Sequence, residues 1–147
     1  CVVFVGDGTD KEHLKVYAEG ANDRIFFLPP VDKRVIPNLL DKMDILYVGA
    51  LNNRMFRFGI CMNKLFDSMM SGKPILYAVN APNNYITKYH CGISVQPEDK
   101  EALKSGIEQL IGLSPEERKK MGDNGRKAVI ENFEYSVLAR KFLEVME

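Results

Sequence analysis

The sequence predicts an α/β domain built on an open parallel sheet with helices on both faces, ending in a purely helical last third. Three observations carry this prediction. Short, β-branched apolar runs alternate with amphipathic segments from Val2 to Val95. Each run is bounded by Gly, Pro or Asn, as strands buried on both faces usually are. After Pro97 no further strand pattern occurs, and only helical periodicity remains.

Taken in order, Val2–Val5 is the first strand, and Gly6-Asp7-Gly8 turns the chain into a helix over Asp10–Glu19. Strand Arg24–Leu28 stops at Pro29-Pro30, which lack ladder donors. A helix over Val35–Lys42 leads to strand Asp44–Val48. A Gly-containing loop through Arg57-Phe58-Gly59 then enters a helix over Asn63–Ser71, closed by Gly72. Strand Ile75–Val79, helix Asn83–Tyr89 and strand Ile93–Val95 follow. Pro97-Glu98-Asp99 opens a helix running to Ile111. In the next helix Ser114 suits the N-cap, Pro115 the first helical position and Glu117 the capping box. Phe133–Val145 is the closing helix.

With 147 residues the chain reads as one domain, long enough to bury roughly 70% of its unfolded surface. It contains no repeat, no low-complexity tract and no Ser/Gly linker. Its 20 Lys+Arg balance 20 Asp+Glu, which argues against a nucleic-acid partner, since such proteins usually show a basic excess. No apolar run approaches the ~20 residues that cross a bilayer, and no signal peptide is recognisable. Three cysteines without CxxC or metal spacing point to reduced thiols in a cytoplasmic setting, at most against the inner face of the cell membrane. The chain opens directly on an apolar strand, which reads as a piece of a longer polypeptide.

Residues 57–74 hold the strongest chemical signal. The helix entered after Gly59 carries Asn63, Lys64 and Asp67 among apolar residues. A helix N-terminus exposes unpaired N–H groups and the positive end of the dipole, so it holds phosphate. Lys64 in the first turn adds a point charge for the same anion. Asp67, one turn on, accepts hydrogen bonds from hydroxyls such as a ribose diol. A nucleotide-diphosphate site follows, at the carboxyl ends of the strands where open α/β sheets bind ligands. That rule selects the loops Gly6–Thr9, Leu28–Val31, Gly49–Arg57 and Val79–Asn84, which should converge on one edge.

The alternatives for each residue are plain. Lys64 and Asp67, three apart, are either ligands or a surface ion pair. Asn63 is either the helix N-cap or a phosphate or sugar contact. Arg57 reaches the diphosphate or covers its loop. Leu65 sits in the same first turn, but its side chain, with Phe66, Met69 and Met70, is expected in the core. Gly6, beside Asp7, permits close backbone approach, and Gly6-x-Gly8 without x-x-G is weak evidence for a dinucleotide. Pro29 shapes either a base-reading loop or a plain turn. His13 and His90 are solitary and read as structural. The basic residues Arg118-Lys119-Lys120 with Arg126-Lys127 form a solvated face, the alternative being a peripheral contact with anionic lipid.

Several segments in this order resemble the C-terminal, donor-binding half of GT-B type retaining glycosyltransferases, in the large bacterial group 1, family 4-like class. Val5-Gly6-Asp7-Gly8 is similar to V-G-D-G-P, and Arg24-Ile25-Phe26-Phe27-Leu28-Pro29 to D-R-V-x-F-L-G. Asp44-Ile45-Leu46-Tyr47-Val48 resembles A-D-V-x-L-x-P, and Asp67 to Pro74 resembles E-A-M-A-x-G-x-P. Cys91-Gly92-Ile93 through Pro97 and Met121-Gly122 with Asn124-Gly125-Arg126 match the family's C-G-I-S-V-P-P-E-D and M-G-x-N-G-R. Where many members carry two glutamates eight apart, the second falls at Asp67 and the first at Gly59. The pattern Arg-Phe-Gly-Ile-x-x-Asn-Lys-Leu-Phe-Asp instead resembles a polysaccharide-assembly subgroup often acting on acetamido sugars.

The resemblance implies a Rossmann-like GT-B C-terminal domain whose first strand–helix unit, with an Arg and a Lys for the diphosphate, is missing. It implies a nucleotide-sugar donor, UDP-linked by preference, held by Gly6, Asp7, Pro29, Arg57 and the backbone of Gly59. Asn63, Lys64, Leu65 and Asp67 complete that set, with Asp67 on the ribose. The partners implied are the protein's own N-terminal acceptor domain and a glycan or lipid-linked acceptor in polysaccharide or cell-envelope biosynthesis. No metal and no cofactor are expected, no catalytic side chain is assigned, and the chain alone should be inactive. A UDP-sugar 2-epimerase shares the architecture, but its acidic and histidine signatures are not recognisable here. A non-catalytic nucleotide-binding or docking domain is the third reading.

Overall fold

The computed structural model describes residues 1–20 and 24–146. They group into two compact units, Cys1–Ile36 and Pro37–Glu147. The α/β class with parallel strands is as the sequence predicts, and each unit holds its own hydrogen-bonded ladder.

In the first unit β1 (Val2–Val5) and β2 (Ile25–Leu28) pair in parallel, with Val2 opposite Ile25 and Val5 opposite Leu28. Helix α1 (Lys11–Ala18) connects them. Phe4 and Phe27, opposite each other in the ladder, stack with centroids 5.1 Å apart. Both strands are apolar throughout, as in a sheet covered on both faces, yet no described residue of this unit is buried. A two-stranded ladder has too little apolar contact to be stable by itself.

Helix α2 (Ile36–Asp41) begins at the last residue of the first unit, and the second unit carries the rest of it with β3 (Leu46–Gly49), α3 (Asn63–Met70), β4 (Ile75–Ala78), α4 (Tyr85–Tyr89) and β5 (Gly92–Ser94). Its ladder runs β3-β4-β5, all parallel. Helices α5 (Lys100–Gly112), α6 (Pro115–Asn132) and α7 (Tyr135–Met146) complete it. The central strand β4 is buried at every position. Ile75 and Tyr77 face a core with Leu65 and Met69 of α3, Ile86 of α4, and Ala128 of α6. On the other face Leu76 meets Gly106 of α5, which also packs on Val95. Helices therefore cover both faces of this sheet. Each large aliphatic side chain so buried contributes about 1.5–3 kcal/mol.

Boundaries differ from the sequence expectations where a particular hydrogen bond sets them. Strand β3 begins at Leu46, two residues late, because the first ladder bond is Leu46 N–H to the Pro74 carbonyl, 3.0 Å. Strand β5 begins at Gly92, where any β-carbon would collide with the Ile75 carbonyl. Helix α4 starts at Tyr85 because Asn84 caps it, accepting from Thr87 N–H at 3.1 Å. Phe133 ends α6 rather than opening α7, its N–H donating to Val129. The capping box at Ser114 and Glu117 is present as expected.

Helix α6 reaches α3 and α4 through a cluster of small and polar residues. Gly122 lies against Gly72, and Gly125 against Met69 and Cys91. Arg126 donates to the Met70 and Ser71 carbonyls (3.0 and 2.8 Å), closing the C-terminus of α3. Asn124 donates to the His90 carbonyl at the C-terminus of α4, where His90 adopts φ 52°. Arg118 gathers the Leu110, Ile111 and Leu113 carbonyls at the end of α5. Lys119 and Lys127 pair with Asp123 and Glu131. Most of the basic cluster thus serves helix ends and surface pairs. No helix among the described residues is long and apolar enough to cross a membrane.

Candidate functional site

The sequence-selected residues fall in both units, and each group is built by its own ladder. In the first unit, the chain leaving β1 turns at Gly6 with φ 130°, a conformation glycine alone adopts easily. Asp7 accepts from Gly8 N–H at 3.0 Å, a local turn bond. Lys11, which sequence reasoning missed, donates to the Gly6 carbonyl at 2.7 Å and to the Leu28 carbonyl at 3.4 Å. One ammonium therefore ties together the carboxyl ends of β1 and β2. A shallow cavity of about 260 Å³ opens there, lined by Gly6, Asp7, Lys11, Phe4 and Leu14 among others. Pro29 follows β2 directly and is exposed.

In the second unit, α3 begins at Asn63, with Met62 as N-cap and no side-chain cap bond. Asn63 is therefore not the N-cap, which removes one of its two readings. Leu65 N–H turns back to the Met62 carbonyl at 3.0 Å. With no side chain capping it, the helix presents the N–H groups of Asn63 and Lys64 outward at its positive end. The Leu65 side chain is 1% exposed and belongs to the core, so it offers a ligand no contact. Met69 is buried as expected, but Met70 is 45% exposed because it lies on the outer side of α3.

Lys64 forms no ion pair with Asp67 among the described residues. Its ammonium instead lies 3.2 Å from the carbonyl of Gly49, the last residue of β3. One of its three N–H donors is thus used, and two face the surroundings. Asp67 is exposed one turn further along α3. Arg57, exposed, stacks its guanidinium over Phe58 at 4.6 Å. Gly59 ends the 3₁₀ turn Arg54–Phe58 at φ 97°, a conformation that penalises any side chain. Helix α3 is thus aimed at the carboxyl end of β3, with Lys64 linking the two.

Asparagines, which the sequence reading passed over, organise the surrounding loops. Asn83 accepts from Ile60 N–H (2.9 Å) and donates to the Ile60 carbonyl (2.7 Å), so it holds the approach to α3 as a backbone strand would. Asn80 reaches Asn52 at 3.5 Å, and Glu98 accepts from Asn52 N–H at 2.8 Å. Asn84 donates to Ser94 at 2.7 Å. The legible signal was the Asn80-Ala-Pro-Asn-Asn84 run after β4. Asn enrichment marks turns, and its carboxamide substitutes for missing backbone partners.

A family model described as glycosyl transferases group 1 matches residues 1–128. The chain belongs to the group 1 glycosyl transferases. Solved structures agree with a GT-B fold. Sucrose-phosphate synthase from Thermosynechococcus elongatus matches with a TM-score of 0.80 at 17% identity, covering 98% of this chain and 37% of that one. HepE from Anabaena, in complex with UDP and glucose, matches with a TM-score of 0.74 at 18% identity, covering 98% and 39%. A glycosyltransferase from Rickettsia africae matches with a TM-score of 0.74 at 21% identity, covering 97% and 38%. This group 1 domain therefore spans well under half the length of the solved chains it matches. No match to it was found among curated protein sequences.

Proposed function

We propose that this group 1 domain binds the nucleotide-sugar donor of a retaining glycosyltransferase. The observation that carries the reading is the uncapped N-terminus of α3, with Lys64 bridging to the carboxyl end of β3. The N–H groups of Asn63 and Lys64 and the ammonium receive the diphosphate, and Arg57 supplies a second cation. Asp67 accepts hydrogen bonds from the ribose hydroxyls. As the glycosidic bond to the donor breaks, negative charge builds on the leaving diphosphate. Donors fixed in advance stabilise that charge without reorganising.

The donor is a UDP-sugar, with an acetamido sugar favoured by the Asn63-Lys64-Leu65-Phe66-Asp67 pattern. The UDP complex of HepE supports this choice of nucleotide. The acceptor is a glycan or a lipid-linked glycan in cell-envelope synthesis, held by an N-terminal domain across a cleft. WaaG, a glycosyltransferase involved in lipopolysaccharide biosynthesis, is a further fold neighbour at 19% identity. Cation side chains and helix N–H groups do the work of charge neutralisation, so transfer proceeds in the presence of a chelator. The protein works in the cytoplasm.

Thermal-shift measurements on the full-length protein with UDP-, GDP- and ADP-sugars, with and without chelator, test this reading. A rise in melting temperature with UDP-sugars that survives the chelator supports it. No shift with any nucleotide sugar rejects it.

A further inference from the structure

We infer that Glu98 is a positioning residue for the donor, fixing the loop that follows β3 from across the sheet. This rests on the donor-binding reading above. Glu98 lies in the turn between β5 and α5 and adopts φ 61°, the left-handed region that non-glycine residues rarely enter. Such conformations are strained and persist where the surroundings hold them. What holds this one is a long-range contact. The carboxylate accepts from Asn52 N–H at 2.8 Å, between residues 46 apart in sequence.

Asn52 is a meeting point. Its side-chain oxygen also receives Asn80 Nδ2 at 3.5 Å, from the loop after β4. The loops from the carboxyl ends of β3, β4 and β5 therefore join at one residue. The segment Gly49–Asn52 is gripped at both ends, by Lys64 on the Gly49 carbonyl and by Glu98 on the Asn52 N–H. That segment leads into the 3₁₀ turn bearing Arg57. Displacing it alters both the carbonyl that orients the Lys64 ammonium and the start of the turn that presents Arg57. A strained residue that spans the ligand edge of the sheet is expected where pre-organisation matters more than local stability. Asp99, its neighbour, does a different job, capping α5 by accepting from Ala102 N–H at 2.9 Å.

The experiment uses the full-length enzyme with E98A, E98G and E98Q. Glycine removes the backbone strain together with the carboxylate, whereas glutamine retains an acceptor oxygen. E98A and E98G are expected to raise the donor KM by about three- to tenfold, the scale of one ordinary hydrogen bond, because the contact is exposed and acts on the donor only through the loop. Neither should lower kcat in proportion, and E98Q is expected to stay within about twofold of wild type, because a carboxamide oxygen still accepts from N–H. Amide hydrogen exchange at Asn52 should be protected in wild type and E98Q and faster in E98A and E98G. An unchanged donor KM in E98A and E98G, or unprotected Asn52 exchange in the wild type, overturns the assignment while leaving donor binding intact. A kcat collapse in E98Q overturns it in favour of acid–base chemistry. A wild-type enzyme that binds no nucleotide sugar removes the donor-binding reading itself.

Discussion

Gly122 of α6 lies against the carbonyl of Gly72, so closely that a β-carbon at 122 would fall inside its van der Waals envelope. The contact sets the distance between α6 and the end of α3. Arg126, one turn further on, then reaches the Met70 and Ser71 carbonyls. The Gly122-Asp-Asn-Gly125-Arg126 segment is thus a clamp on the C-termini of α3 and α4. It acts on the site only by holding α3 in place.

Gly122→Ala is expected to destabilise the fold by about 2 kcal/mol or more, although Ala is favoured over Gly in an ordinary helix by about 1 kcal/mol. The clash is with backbone that cannot swing aside. Chemical denaturation checks the sign. A stabilised variant would show that α6 does not approach α3 in this way.

Lys64→Ala is expected to weaken UDP binding to the full-length protein by about 1.5–3 kcal/mol, roughly ten- to more than a hundredfold in Kd. The melting temperature should barely change, because the side chain is exposed and its one bond goes to a strand-end carbonyl. Titration calorimetry with equal affinities for both proteins would contradict the diphosphate role.

Tyr77→Phe should be neutral or stabilising by about 1 kcal/mol, unlike most changes at a residue with no exposed surface. The hydroxyl is buried without a hydrogen-bond partner among the described residues. Burial, with a smaller contribution from Tyr85, pushes its phenol pKa up. Denaturant midpoints of the two proteins decide the matter. A clear loss of stability would mean that the hydroxyl has a strong partner in solution.

Thiol chemistry separates the three cysteines. Burial pushes the Cys91 thiol from 9.0 up to about 11, so at pH 8 it is neutral and shielded, whereas Cys1 and Cys61 are exposed. Iodoacetamide at pH 8 should modify Cys1 and Cys61 and spare Cys91 until the protein unfolds, as mass spectrometry will read. The linkage has a definite sign. Because the folded-state pKa is the higher one, this group's contribution is fully present below about pH 9 and is lost as pH rises towards 11. Rapid native labelling of Cys91 would refute the packing around it.

Much of the architecture was legible in local pattern. Val2–Val5 and Ile75–Val79 are short apolar runs between turn residues, and that suffices to mark parallel strands. The capping box at Ser114 needed only residues three apart. Lys64 and Asp67 stood out because a helix start is readable from a Gly-containing loop and a change of period. The contacts that organise the site were not legible, since they join residues far apart in the chain. Nothing near Lys64 announces that its ammonium bonds Gly49 rather than Asp67, because an i,i+3 pair and a strand-end carbonyl are equally within reach of a lysine.

The sequence by itself determined the element order, the parallel α/β class and the helix that carries Lys64 and Asp67. Those follow from hydrophobic period and turn chemistry, which act over a few residues. Only tertiary structure decided that no side chain caps α3, whose N-cap position is Met62 rather than Asn63, that Met70 is turned outward, and that Glu98 grips Asn52 across three strands. The physical reason is range. A backbone N–H takes whichever acceptor packing delivers to it, and that delivery depends on how β3, β4 and β5 lie side by side.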